Sequence, residues 1–227
     1  MGAVFKKEFK SYFLSPIGYV VVGIFLLVCT VFFYLTTIQT RSIDLGGMYF
    51  YAALYGLIII APILSMRLFA EERKTGTEQL ILTSPVNIAG VVFGKFFAAL
   101  GVIVVALLAS FMYFGIMCYF SNPNIFVVLV CMLGFILVSG AAIAFGMFAS
   151  SLTENQIIAG IITIAFLIMP IFLPNLNIGF PDIAIIDFYQ RFPTGVISLS
   201  EVVSVVSFTA MFIAFTIIVM QRRKLVK

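Results

Sequence analysis

The sequence predicts an all-α integral membrane protein. Six transmembrane helices are expected, with an amphipathic helix before the first and a charged cytoplasmic segment between the second and third. A re-entrant or interfacial extracellular segment should precede the last. Three observations carry this prediction. Of 227 residues, 63% are hydrophobic and only 10% charged, and the mean hydropathy is +1.22, whereas a soluble domain carries about 25% charged residues. Six apolar runs, Ile17–Ile38, Met48–Met66, Phe96–Phe120, Ile125–Ser150, Ile157–Leu173 and Val202–Met220, contain no Asp, Glu, Lys or Arg, and about 20 apolar residues suffice for a helix to cross hydrocarbon. Finally, with the N-terminus in the cytoplasm, all basic residues but Arg41 and Arg191 fall inside, as the positive-inside bias requires. Such a chain cannot clothe a water-facing surface, which excludes soluble enzymes and disordered tails. The net charge of +4 arises at membrane ends and does not call for a nucleic-acid partner.

Each element has a local cause. In residues 1–16, Phe5, Phe9, Tyr12 and Phe13 recur at helical spacing, while Lys6, Lys7 and Lys10 take other faces. This segment should lie in the interface, its rings in the acyl boundary of the bilayer and its lysines near anionic headgroups. Ser15-Pro16 makes a corner, since a residue before proline avoids the helical region. Residues 17–66 hold the first two spans. Arg67–Val86 is rich in charge and predicts two short helices: one to about Lys74, stopped near Gly76, and a second capped by Thr75 or Thr77, with Thr75-x-x-Glu78 fitting a capping box. Ser84-Pro85 should start the next helix, which runs to Phe120. At about 1.5 Å per residue it exceeds the bilayer core, so residues 85–95 should project as a stalk with Lys95 near the interface.

Residues 86–173 hold spans three to five, with Ser121-Asn122-Pro123-Asn124 as one turn. Residues 174–201 mix Ile183, Ile186, Phe188 and Phe192 with Asp182, Asp187 and Arg191, too apolar for a solvated loop. Backbone at that depth needs protein around it, so this segment should pack on the outer mouth of the bundle. Span six occupies 202–220 and a cytoplasmic tail 221–227. The whole chain reads as one transmembrane domain, 1–227.

The sequence offers no chemistry of its own. It has no His, the usual base at neutral pH, and no pattern of metal ligands. Gly94-Lys95 hints at a phosphate-binding loop, but Ala89 and Phe96 break the G-x-x-x-x-G-K-[ST] pattern. The spans lack the ionisable groups that proton-driven carriers and intramembrane proteases need. Cys118 and Cys131 flank one turn, where a disulfide and buried thiols are both conceivable and thiols are favoured. Gly90-x-x-x-Gly94 and Ala142-x-x-x-Gly146 read as close-packing sites, and Pro62 and Pro170 as bends. The chain is therefore not expected to be an enzyme, and it carries no catalytic residue, metal or cofactor.

Two stretches resemble a known family. A-E-E-R-K-T-G-T-E-Q-L-I-L-T-S-P-V, Ala70–Val86, followed by Gly94-Lys95-Phe96, is similar to the segment after span two in membrane (permease) subunits of type-2 ABC exporters. D-F-Y-Q-R-F-P-T-G-V-I-S-L-S-E-V-V, Asp187–Val203, resembles the GldF-like, gliding-motility-associated branch. The resemblance implies a permease that couples ATP hydrolysis by a separate ATPase subunit, present in two copies with ATP and Mg, to alternating access. It implies a second permease subunit, homo- or heteromeric, a bacterial inner-membrane location with both termini cytoplasmic, and room for an auxiliary extracellular subunit. It makes Ala70–Val86 the coupling helix region, with Glu71, Glu72, Arg73, Thr75, Gly76, Thr77 and Glu78 as ATPase-coupling residues that either dock polar groups or tie this region to the amphipathic helix. It places spans two and five at the central interface, which makes Tyr51, Tyr55, Asn155, Gln156 and Thr163 the pathway-lining candidates. A non-transporting scaffold that relays ATPase motion to an envelope partner is the alternative, since it needs the same coupling segment.

Overall fold

Helix is the only regular structure among the described residues of the computed structural model, which are 1–43, 45–79, 87–172 and 189–226. Helix α1, Gly2–Leu14, stops at Ser15, whose extended backbone (φ −91°, ψ 157°) precedes Pro16 at the first turn of α2, Pro16–Phe33, as the Ser-Pro corner predicts. A π turn, Tyr34–Ile38, continues α2. The second apolar run folds as α3, Gly46–Tyr51, a π turn, Ala52–Gly56, and α4, Leu57–Ser65. After a turn comes the short α5, Ala70–Lys74. The long α6, Ile88–Phe120, and α7, Ile125–Leu152, each begin with an asparagine, Asn87 and Asn124, whose side chain accepts an N–H from the second residue of the helix, the usual service of an N-cap. Helices α8, Gln156–Phe172, and α9, Leu199–Val226, complete the set.

Among the described residues, five helical runs are long and apolar enough to cross a membrane: Pro16–Ile38, Gly46–Lys74, Ile88–Phe120, Ile125–Leu152 and Leu199–Lys224. The fifth expected span corresponds to α8, which is apolar but has 17 residues, about 26 Å of helix. It runs up to residues 173–188, outside the described residues, so most of the re-entrant segment, the Ser84-Pro85 helix start and the second short helix beyond Gln79 fall outside them too.

The helical runs leave two ends. One carries α1, α5, the α7–α8 junction and the last turns of α9; the other carries residues 39–43 and 45, the Ser121–Asn124 turn and the 3-10 turn Phe192–Thr194. The core between them is built by close approach. Gly146 of α7 meets Ser65 of α4 and Thr163 of α8, with no room for a Cβ, in keeping with the small-residue reading. Rings bind α7, α8 and α9, with Phe145 and Phe166 stacked at 3.6 Å and Phe212 edge-on to Phe145 at 5.1 Å. The described part of the segment before α9 does pack on the bundle: Tyr189 and Phe192 are buried, and the Tyr189 hydroxyl donates to Cys131 O.

Three expectations change. The start of α6 is no free stalk, because α1 lies along it, with Val4 on Gly94 and Phe9 on Gly101. Ile88, Val91, Val92 and Lys95 are consequently buried, and part of the aromatic face of α1, at Phe9, is spent on protein. All three cysteines are free thiols, and Cys118 is exposed where burial was favoured. Thr75 does not open a capping box. Its hydroxyl donates back to Glu71 O and Glu72 O and so closes α5.

Candidate functional site

The charged end is organised around the corner where α4 turns into α5. Helix termini leave backbone groups without partners, and here distant side chains supply them. Ser150, at the end of α7, accepts from Phe69 N (3.1 Å) and Ala70 N (3.0 Å) and donates to Met66 O (2.9 Å). One hydroxyl thus caps the end of one helix and the start of the next. Leu68 N reaches only to Ser65 O, which leaves Leu64 O to accept from the Tyr12 hydroxyl of α1 at 2.9 Å. Burial holds that phenol above its ordinary pKa, with Arg67, 5.6 Å from the ring centroid, opposing. Tyr12 is therefore a neutral donor. Beyond α5 the chain reverses at Gly76, with φ +75°, the left-handed conformation that favours glycine at a helix C-terminus.

The charges of this corner point mostly inward. Lys95 of α6 is 2% exposed; its ammonium donates to Glu72 Oε1 (2.7 Å), Glu8 Oε1 (3.3 Å) and Leu68 O (2.8 Å). All three of its donors are used, and through them α6, α5 and α1 share one buried joint. Glu72 Oε2 is buried with no partner among the described residues. Arg73 bridges to Glu154 at 2.8 Å and donates to Leu152 O, Glu78 pairs with Arg223 of α9 at 3.0 Å, and Glu71 pairs with Arg67 at 3.1 Å. A cleft of about 360 Å³ opens between α1 and the corner, lined by Lys7, Glu8, Tyr12, Arg67, Glu72 and Lys95 among others. The turn Lys74–Thr77 and Gln79 are exposed, with Thr75 and Thr77 on the rim of this cleft.

Of the residues expected here, Glu71, Glu72, Arg73, Thr75, Gly76, Thr77 and Glu78 do sit together on one corner. Ser150, Tyr12, Glu8, Glu154 and Arg223 were not expected to hold it. In the sequence Lys95 stood out as a basic residue near an interface, as part of a failed phosphate-loop pattern and within the Gly94-Lys95-Phe96 resemblance, but not as a buried ion-pair partner. Its burial was foreshadowed by its place inside an otherwise apolar helical run, where an ionisable group needs a partner. Lys6, Lys7 and Lys10 are exposed on α1, and Lys7 lies 4.0 Å from Glu8. The remaining candidates divide. Asn155 caps α8 through its side chain, Gln156 begins that helix, and Thr163 is buried and donates to Ala159 O. Tyr51 and Tyr55 stand exposed beside the π turn, their rings nearly parallel to Phe32 at 5.2 and 5.5 Å, and neither hydroxyl has a partner among the described residues. No group of three or more His, Cys, Asp or Glu among the described residues is placed to hold a metal ion.

The corner is thus bonded to α1, α6, α7 and α9. A family model described as ABC-2 family transporter protein matches residues 10–174. No curated protein matches the chain.

Proposed function

The chain belongs to the ABC-2 family of transporter proteins, and on that premise we propose that it is the permease subunit of an ATP-driven exporter, in a branch resembling the GldF-like one. The observation that carries the proposal is the buried joint of Lys95 with Glu72 and Glu8, braced by Ser150. It converts the segment between the second and third spans into a rigid lever instead of a loop. The lever's exposed turn, residues 74–77, is where an ATPase subunit holding ATP and Mg would press. Two such subunits would serve two permease subunits, identical or not, with room for an auxiliary extracellular subunit. The membrane is the bacterial inner one and both termini are cytoplasmic. Counting α8 as a span beside the five long runs gives the even number this requires. Because Glu71, Glu72, Arg73 and Glu78 are occupied within the chain, their part is to hold the lever in place, and docking falls to Lys74, Thr75, Gly76 and Thr77.

Tyr51 and Tyr55 support a pathway along the second span. Phenol hydroxyls at the depth of Tyr55, midway along Gly46–Ser65, have no water to bond with if they face hydrocarbon. Facing a polar pathway or a second permease relieves this, and π turns such as Ala52–Gly56 recur at functional sites.

Purification through a tag from mild detergent, followed by identification of co-purifying proteins and an ATP hydrolysis assay, tests the proposal. A P-loop ATPase should accompany the wild type and be lost from Lys74→Glu/Thr77→Arg, while that variant stays monodisperse. Absence of any ATPase after cross-linking in membranes, or its undiminished capture by the variant, overturns the assignment.

A further inference from the structure

At the end of the bundle opposite the charged corner, the last turns of α2 and α6 enclose a trough of about 580 Å³. Phe33, Ile38, Ile116, Met117 and Phe120 wall it, and Arg41 stands among its lining residues where the chain leaves α2. Arg41 has φ +54°, a left-handed conformation rare outside glycine, and its turn is braced by Arg41 N to Ile38 O, Ser42 N to Thr37 O and the Ser42 hydroxyl to Thr36 O. No carboxylate among the described residues pairs with it. The other arginine of this end, Arg191, is engaged by Glu201 at 3.3 Å. Arg41 is thus an exposed cation on a braced turn, unpaired by any carboxylate among the described residues, at the mouth of an apolar trough.

An apolar slot topped by one cation is complementary to an acyl chain topped by one anion. The geometry points to a resident-lipid site: an anionic phospholipid of the surrounding bilayer lays one acyl chain between α2 and α6 and sets its phosphate on the Arg41 guanidinium. This rests on the chain spanning a membrane and not on its coupling to an ATPase, so the two readings fail independently.

The test uses the full chain in phosphatidylcholine nanodiscs doped with either phosphatidylglycerol or phosphatidylcholine carrying a photoactivatable diazirine on one acyl chain, with adducts mapped by mass spectrometry. Adducts on residues 116–120 should favour phosphatidylglycerol about fivefold, the equivalent of roughly 1 kcal/mol for one cation at a membrane surface. Arg41→Gln should bring the two lipids level, and Ile116→Trp, which fills the slot, should lower both. Equal labelling by the two lipids in the wild type overturns the site, as does an unchanged preference in Arg41→Gln. Labelling that appears only while a partner ATPase turns over would make the lipid cargo and would overturn its residence.

Discussion

Replacing Lys95 by Met removes a buried cation from between two carboxylates while keeping most of the side-chain volume. Three hydrogen bonds go, to Glu72, Glu8 and Leu68 O. The two carboxylates left behind are only 15% and 17% exposed. Glu8 keeps Lys7 at 4.0 Å, but Glu72 keeps nothing, since its second oxygen is already without a partner. Breaking a buried pair from one side costs about 3–5 kcal/mol, and the residual Lys7–Glu8 contact places the expectation at the lower half of that range. At roughly 2–4 °C per kcal/mol for a chain of this size, the apparent melting temperature should fall by about 10 °C. Glu72→Gln is milder, at about 1–2 kcal/mol, because Lys95 retains Glu8 and the carbonyl. The triple variant Lys95→Met/Glu8→Gln/Glu72→Gln leaves no buried charge of the joint unpaired, since Lys7 is exposed, and should recover more than half of the loss. The assay is fluorescence-detected size exclusion of tagged protein in detergent after a temperature ramp. If Lys95→Met melts within about 2 °C of the wild type, or the triple variant is no better than the single one, the joint does not hold the corner as argued.

Other consequences can be checked separately. Ser150→Ala deletes a hydroxyl that serves two N–H groups and one carbonyl, and should lower stability by about 1–3 kcal/mol; Ser150→Thr, which retains the hydroxyl, should lose less in the same melting assay. Tyr51→Phe/Tyr55→Phe should reduce export-linked ATP hydrolysis without moving the melting temperature, and normal turnover would remove these hydroxyls from the pathway. In a cysteine-free background, a membrane-impermeant maleimide applied to intact cells should label Asn122→Cys directly and Thr77→Cys only after lysis, the reverse pattern inverting the topology.

Much of this molecule is legible without coordinates because hydrophobic length and charge exclusion act residue by residue. Ser15-Pro16, Asn124 and Gly76 end or start helices as their chemistry dictates. What stayed hidden depends on pairing across distance. Thr75 satisfies a capping pattern locally, yet its hydroxyl turns back to α5, because a residue at a helix end can serve either neighbour. The stalk expected of residues 85–95 assumed that a helix longer than the bilayer must stand in water. Val4 and Phe9 of α1 pack along the start of α6 instead, at Gly94 and Gly101, where a Cβ would crowd them. Ser150 carries no local signal, being one of several hydroxyls near a span end, and its role appears only when α7 is brought beside α4. The residues from Glu71 to Glu78 read as groups that dock a partner or tie this region to the amphipathic helix, but the individual partners of Glu72, Arg73 and Glu78, which are Lys95, Glu154 and Arg223, lie 23 to 145 positions away.

These long separations also set an order of assembly. During synthesis, the corner after α4 emerges early but finds Lys95 only with the third span, Ser150 only with the fourth, and Arg223 only with the last turns of α9. Until then Glu72 and Glu78 lack the cations they pair with, and Phe69 and Ala70 have no cap. The surface offered to a partner therefore takes its final shape only when the final helix has been inserted. Premature capture of a half-made chain by its motor would thus be discouraged by the fold itself, and chains interrupted before residue 223 should fail to recruit one even where residues 67–79 are intact.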